Sequence, residues 1–320
     1  MAEMSFIEAR NLAVAEVLAA DERAVLIGDL GGPGQPEGGF ARAFGPKRVR
    51  GTPISEESFG GAAVGAALMG LRPIVSFSNL SFMYDAWEPV LNEAALIRYM
   101  SGGQLSVPVT FHLNIGLRPG WAAQHAQAGH AMLCNAPGLV VVVPGTPAAA
   151  YELMRTAAAS DDPVVYVEPR PLWAEVGEVP TGNGVRPVRA RVLRSGTDIT
   201  VVAVGAMVPR ALNVADRLAG EGISVEVIDP QVLSPLDRDG ILASVHRTGR
   251  LVAADEGQLT CGVASEIVAC AAEWALGSLK APPRRVAIPD VPAPPSPTQW
   301  EAVAPTEGRL EAAVRATLAP

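Results

Sequence analysis

The stretch Thr52-Pro-Ile-Ser-Glu-Glu-Ser-Phe-Gly-Gly-Ala-Ala-Val-Gly-Ala-Ala-Leu-Met-Gly70 decides how the rest of the chain is read. Pro53 biases Thr52 toward an extended backbone, and Ser55 is placed to cap a helix. The residues that follow spell that helix, one so rich in Gly and Ala that another backbone must pack close against it. Gly61 and Gly65, like Ala62 and Ala66, repeat at a spacing of four, so small residues line one face. Each interior Gly costs about 1 kcal/mol relative to Ala, so tertiary packing has to hold the helix. Glu56 and Glu57 fall in its first turn, where the helix dipole favours a carboxylate. Both read as exposed acids that complement the dipole. The sharper reading holds one of them in a pocket, hydrogen-bonded to something other than water.

Around that stretch, 320 residues suggest two domains. Hydrophobic residues make up 49% and charged residues 18%, enough apolar material for sizeable cores and too little charge for disorder. The net charge of −8 argues against nucleic acid as the main partner. Cys134, Cys261 and Cys270 are widely spread, without metal-ligand spacing, and read as reduced thiols of a cytoplasmic protein. The N-terminus carries no secretory pattern and no apolar run reaches membrane-spanning length, so no membrane association is expected. His112, His125, His130 and His246 form no zinc pattern.

In order, residues 6–20 read as an amphipathic helix and Ala24–Gly28 as a short apolar strand. Asp29–Gly39 is too rich in Gly and Pro for regular structure, and Gly32, Gly34 and Gly38 miss the dinucleotide-binding spacing. Beyond the Glu56 helix, strands are expected at 73–77, 107–113, 139–143 and 163–167, with helices at 83–100, from about 123, and at 147–160. Residues 172–189 lapse into Pro, Gly, Asn and Glu. A second alternating unit follows, with strands at 199–204, 225–228, 251–254 and 285–288, and helices at 208–220, 236–248, 262–276 and 300–318. Apolar strands alternating with helices imply an α/β fold of two doubly wound domains, each a mostly parallel sheet with helices on both faces. The expected boundaries are 1–175 for the first domain, 176–189 for a linker and 190–320 for the second.

Pro53-Ile-Ser-Glu56, the Gly/Ala helix, Leu71-Arg-Pro73, Met100-Ser-Gly-Gly103, Ala123-Gln-His125, Pro137-Gly-Leu139, Asp161-Asp-Pro163, Gly205-Ala-Met207 and Leu233-Ser-Pro-Leu236 occur in this order. In that order and separation the chain resembles the beta subunit of the thiamine-diphosphate-dependent first component of 2-oxo acid dehydrogenase complexes (pyruvate, branched-chain or acetoin type). That family lies within the transketolase superfamily, and the resemblance covers almost the entire chain. It implies a pyrimidine-binding domain followed by a transketolase C-terminal domain.

The resemblance also implies roles. Glu56 matches the carboxyl that hydrogen-bonds the aminopyrimidine ring of thiamine diphosphate and promotes its imino tautomer, which removes the thiazolium proton. Such a task suits a carboxyl partly desolvated among small apolar neighbours. Phe82 matches the aromatic against which the pyrimidine packs; by itself it reads as an ordinary core phenylalanine. His125 matches the histidine at the active-site entrance that serves intermediates and acyl transfer to a lipoyl arm; by itself it reads as structural or surface. His112 and His130 have no match and are expected on the surface or hydrogen-bonded in the core. The carbonyls of Val109, Ala157, Ser160 and Asp162 fall where some relatives hold a monovalent cation, although Asp161-Asp162-Pro163 is equally a helix-to-strand turn.

The superfamily's Gly-Asp-Gly segment, which with an Asn ligates the Mg2+ on the cofactor's diphosphate, is absent. The resemblance therefore implies an alpha-type partner chain that holds the diphosphate and Mg2+, together with self-association of this chain. The loop 29–39 is shorter than in the dehydrogenase subunits, the segment 113–121 lacks their glycine-rich run, and Gln231 stands where an arginine is usual. These departures leave the acyl donor open, and the acceptor too: a lipoyl domain, an acyl carrier protein or a sugar. Three functions stay in view: a 2-oxo acid dehydrogenase beta subunit, half of a split transketolase-like enzyme moving a two-carbon ketol unit, and a non-catalytic scaffold.

Overall fold

A computed structural model describes residues 1–28, 38–116, 121–182, 184–185 and 187–319. Residues 29–37 of the loop 29–39 and 117–120 of the segment 113–121, two of the departures noted above, lie outside the described residues. The chain divides into two compact units. The first comprises Met1–Ile115, Met132–Glu168 and Trp173–Pro187; the second comprises Gly116–Ala131, Pro169–Leu172 and Val188–Pro320.

In the first unit, neighbouring strands run in the order Val49–Gly51, Ala24–Gly28, Arg72–Asn79, Thr110–Ile115, Val164–Pro169 and Val140–Val142. Val49–Gly51, Ala24–Gly28, Arg72–Asn79 and Thr110–Ile115 pair parallel, as do Val164–Pro169 and Val140–Val142, with Leu26 opposite Ile74 and Val75 opposite Phe111. Every residue of Ala24–Gly28, Thr110–Ile115 and Val164–Pro169 is buried, as a parallel sheet covered on both faces requires. The helix Phe6–Ala20 opens on a capping box, with Ser5 accepting from the Glu8 amide and the Glu8 carboxylate accepting from Ser5. It packs against the helix Pro147–Ala159, which Thr146 caps.

The second unit has its own sheet in the order Arg284–Ile288, Leu251–Gln258, Ile199–Ala203, Val225–Asp229 and Arg191–Arg194. All neighbours are parallel except Arg191–Arg194, which adds an antiparallel edge. Helices Met207–Ala219 and Glu307–Leu318 pack together, and Val208, Ala211, Leu218, Leu310 and Val314 close a core over Val201 and Val227.

Several expectations change. Ser55 does not cap its helix: its hydroxyl donates instead to the Pro53 carbonyl, 3.2 Å away. The helix expected at 83–100 starts earlier, at Leu80, and breaks into short pieces with a π-helical stretch at Glu88–Ala94. Pro89 lacks an amide to donate, and the Ala95 amide reaches back five residues to Val90. The strand expected at 107–113 is Thr110–Ile115, downstream of Pro108. The final helix divides into Pro297–Val303 and Glu307–Leu318, with Pro305 between them. Within the lapse at 172–189, Val176–Val179 pairs antiparallel with Ala2–Ser5.

The Gly/Ala helix, Glu56–Leu68, buries Phe59, Gly60, Ala63, Val64 and Ala67. Phe59 meets Phe77 at 5.2 Å between ring centroids, and Gly60 lets Ala86 and Pro89 approach. The small-residue face anticipated from Gly61, Gly65, Ala62 and Ala66 is another one: a Cβ on Gly65 would meet nothing within 4 Å. No backbone of this chain among the described residues packs against Gly65.

Candidate active site

Glu56 is the first residue of its helix and is half-buried; Glu57 is exposed. The two side chains diverge by about 100° around the helix. No side chain or backbone group among the described residues hydrogen-bonds the Glu56 carboxylate. It lies at the helix's positive end with a side still open to a ligand. The same helix packs against the turn Leu80–Met83, which carries the half-buried Phe82. That turn is held from its start. Ser78 adopts φ 63, a left-handed conformation unusual for a non-glycine, and buried Asn79 accepts from both the amide (3.1 Å) and the hydroxyl (3.0 Å) of Ser81. Glu56 and Phe82 thus sit in one unit, on elements that touch.

His125 ends the short helix Ala122–His125 and clusters with the second unit. Its ring meets Trp121 nearly perpendicularly, at 79° and 5.9 Å between centroids. The Arg170 guanidinium lies 4.1 Å from the centre of the same Trp121 ring. Sequence reasoning passed over Asn79, Trp121 and Arg170, because nothing local marks which aromatic or polar group a loop will meet.

The two histidines left without a role are both hydrogen-bonded core residues. His112 Nε2 lies 3.3 Å from Glu168, which Arg10 also engages at 3.1 Å. Burial alone would raise the pKa of Glu168, but the Arg10 charge, followed by the His112 ring and Trp173, brings it down to about 2. His130 is wholly buried against Asp255, beside Glu256. Burial pushes Glu256 up to about 7, against the opposing pull of His130 and the Ala206 amide. A pair of acids ending an apolar strand, Asp255-Glu256, was the available sequence signal.

The carbonyls considered for a cation all accept hydrogen bonds within the chain. Val109 accepts from the Val164 amide, Ala157 from the Ser160 amide, and Asp162 from the Ser160 hydroxyl. Ser160 accepts from Arg72, whose guanidinium also reaches Ala158 and Asp161. Among the described residues, no three His, Cys, Asp or Glu side chains gather to hold a metal. No helix among them is long and apolar enough to cross a membrane. Gln231 is buried at φ 58, its amide donating to Asp229 at 3.1 Å.

The family models decide the affiliation. The transketolase pyrimidine-binding domain matches residues 2–175, and the transketolase C-terminal domain matches 188–309. The chain belongs to the transketolase family. It is 41% identical over 272 residues to the beta subunit of acetoin:2,6-dichlorophenolindophenol oxidoreductase of Cupriavidus necator, covering 85% of this chain and 80% of that one. It is 36% identical over 322 residues to the 2-oxoisovalerate dehydrogenase beta subunit of Bacillus subtilis, covering 98% of each. The beta subunit of the Bacillus subtilis pyruvate dehydrogenase first component is 37% identical over 296 residues, 91% of each. Among solved structures, a split-gene transketolase described as an inactive beta4 tetramer aligns with a TM-score of 0.80 at 25% identity, covering 98% of each chain. The transketolase-family pyrimidine-binding domain and these relatives imply thiamine diphosphate dependence.

Proposed function

We propose that this chain is the beta subunit of a thiamine-diphosphate-dependent 2-oxo acid dehydrogenase first component, active only with an alpha-type partner. What carries the reading is Glu56: a half-buried carboxylate at a helix N-terminus, unengaged by protein among the described residues, in the same unit as Phe82. Relatives at 36–41% identity over most of the chain, named as acetoin, branched-chain and pyruvate enzyme subunits, support the reaction class.

Glu56 and Phe82 fit an aminopyrimidine, one offering a carboxyl oxygen to a ring nitrogen and the other a flat apolar surface. Bound thiamine diphosphate would supply a nucleophilic thiazolium carbon and an electron sink for decarboxylation of a 2-oxo acid. Glu56 holds the proton at the pyrimidine nitrogen, which sets the tautomer that can accept the thiazolium proton. Phe82 orients the pyrimidine ring. His125 handles protons in the steps after donor addition, when the acyl group passes to a lipoyl arm. The diphosphate and Mg2+ belong to the alpha-type partner, because this chain has no Gly-Asp-Gly segment to hold them.

The test compares Glu56→Gln with Glu57→Gln in the assembled complex, following hydrogen–deuterium exchange at the thiazolium carbon. Glu56→Gln should bind the cofactor and lose nearly all exchange acceleration, while Glu57→Gln retains most of it. Fast exchange with Gln at position 56 removes Glu56 from its role. A wild-type complex exchanging no faster than free cofactor points to the scaffold instead. Ketose donors turned over in place of 2-oxo acids would move the assignment to a split transketolase-like enzyme.

A further inference from the structure

The segment that carries His125 has almost no stability of its own. Its helix spans 4 residues and has no side-chain cap, far below the length at which a helix sustains itself. It begins at Ala122 with φ 52, a left-handed conformation that costs a non-glycine residue on the order of 1 kcal/mol or more. Such a backbone persists only where its surroundings over-determine it. Here Trp121 packs with Trp300 and Val303 onto a cluster of Ala126, Ile288 and Ala304. One side of the same indole takes the buried Arg170 guanidinium at 4.1 Å, and the His125 ring meets it edge-on at 5.9 Å.

We propose that Trp121, braced by Arg170, is the positioning residue that fixes the His125 imidazole for the steps after donor addition. The proposal rests on the role assigned above to His125. An indole in contact with two groups at once removes rotamer freedom that a solvated histidine would keep. The imidazole then reaches the transfer step already oriented, and misplacement by about 1 Å costs up to ~10²-fold in rate. Arg170 acts through the plane of its guanidinium, which a lysine cannot reproduce.

The experiment uses the assembled complex with Trp121→Leu, Trp121→Phe and Arg170→Lys. Two readouts are taken: the rate of diethylpyrocarbonate modification at His125 in cofactor-free complex, by peptide mass spectrometry, and the split between thiazolium-carbon exchange and acyl transfer. Trp121→Leu should leave exchange at the wild-type rate, slow acyl transfer by ~10²-fold and make His125 several times more reactive. Trp121→Phe, which keeps a ring, should restore most of both. Should Trp121→Leu fail to assemble, Arg170→Lys carries the test, with an intermediate loss of acyl transfer and faster His125 modification expected. Wild-type transfer and wild-type His125 reactivity in the variant that assembles overturn the proposal, as does a Trp121→Phe complex as impaired as Trp121→Leu. Wild-type complex without accelerated exchange defeats the cofactor assignment first, and this proposal with it.

Discussion

His130 Nε2 lies 3.0 Å from Asp255 Oδ1, and both side chains are wholly buried in the second unit. Gly257 makes room for the pair: a Cβ there would come 2.8 Å from Asp255 Oδ2 and 3.3 Å from the His130 ring. Burial drives His130 toward its neutral form, but the charge and hydrogen bond of Asp255 outweigh it, and its pKa ends above the ordinary 6.5. Glu256, at about 7, faces the same imidazole, with Asp255, the Ala206 amide and Arg210 around it.

Both raised values mean that the folded protein holds these protons more tightly than the unfolded chain. Their stabilisation is full below the unfolded values and fades as pH rises through the folded ones. For Glu256 the window runs from 4.5 up to about 7. Stability of the purified chain should therefore fall across this range by up to about 3 kcal/mol on account of this group. Glu256→Gln, which mimics the protonated acid, should flatten that fall in denaturant titrations at pH 5 and 8. An unchanged slope would remove Glu256 from the account.

Glu168 works in the opposite direction. Its carboxyl is held at about 2, so its contribution is present above 4.5 and is lost as pH falls through about 2. Glu168→Gln should cost about 3–5 kcal/mol at neutral pH, because it strips the buried Arg10 of its carboxylate. Arg10→Met combined with Glu168→Leu should recover a good part of this. Chemical denaturation of Glu168→Gln, of Arg10→Met and Glu168→Leu singly and of their double variant measures it, and additive losses in the double variant would contradict a coupled pair.

Gly138, in the Pro137-Gly-Leu139 motif, has φ 99, and a Cβ there would overlap the Ala95 carbonyl oxygen. Gly103 shares a positive φ of 82 but has open space around it. Gly103→Ala should cost only the backbone strain of about 1–2 kcal/mol, and Gly138→Ala considerably more. Equal losses by thermal or chemical unfolding would mean that the Ala95 contact is unimportant.

The face of the Glu56–Leu68 helix bearing Gly65 and Ala62 is open in the single chain, with Met69, Tyr99 and Ile54 exposed. We expect this small-residue face to be the self-association surface. Gly65→Ala should stabilise the isolated chain by up to about 1 kcal/mol through helix propensity. Gly65→Arg should leave the isolated chain folded while blocking its association, as read by sedimentation velocity. Wild-type assembly of Gly65→Arg would exclude this face.

Much of the fold was legible because strand and helix patterns are local. Ala24–Gly28 and Ile199–Ala203 are largely apolar runs, and their burial on both faces follows from that composition. Arg191–Arg194 escaped notice because an edge strand bounded by arginines has only its pairing with Val225–Asp229 to define it. The helix at 83–100 was misjudged in continuity, since a π-helical stretch has no simple periodic signature. Glu56 was legible because a helix start is a local event, and a carboxylate in a first turn is visible in a short window.

The sequence alone determined that this chain is an α/β protein, where its Gly/Ala helix begins, and that Glu56 stands at that helix's positive end. Tertiary structure decided that the His125 segment clusters with the second unit, that Arg170 braces Trp121, and that His130 finds Asp255 across 125 residues of chain. The physical reason is the reach of the interactions. Backbone hydrogen bonding and hydrophobic period act within a few residues and leave their mark on composition. A buried imidazole–carboxylate pair or a stacked guanidinium gains its energy only after the intervening chain has closed, and many sequences could have brought different partners to the same place.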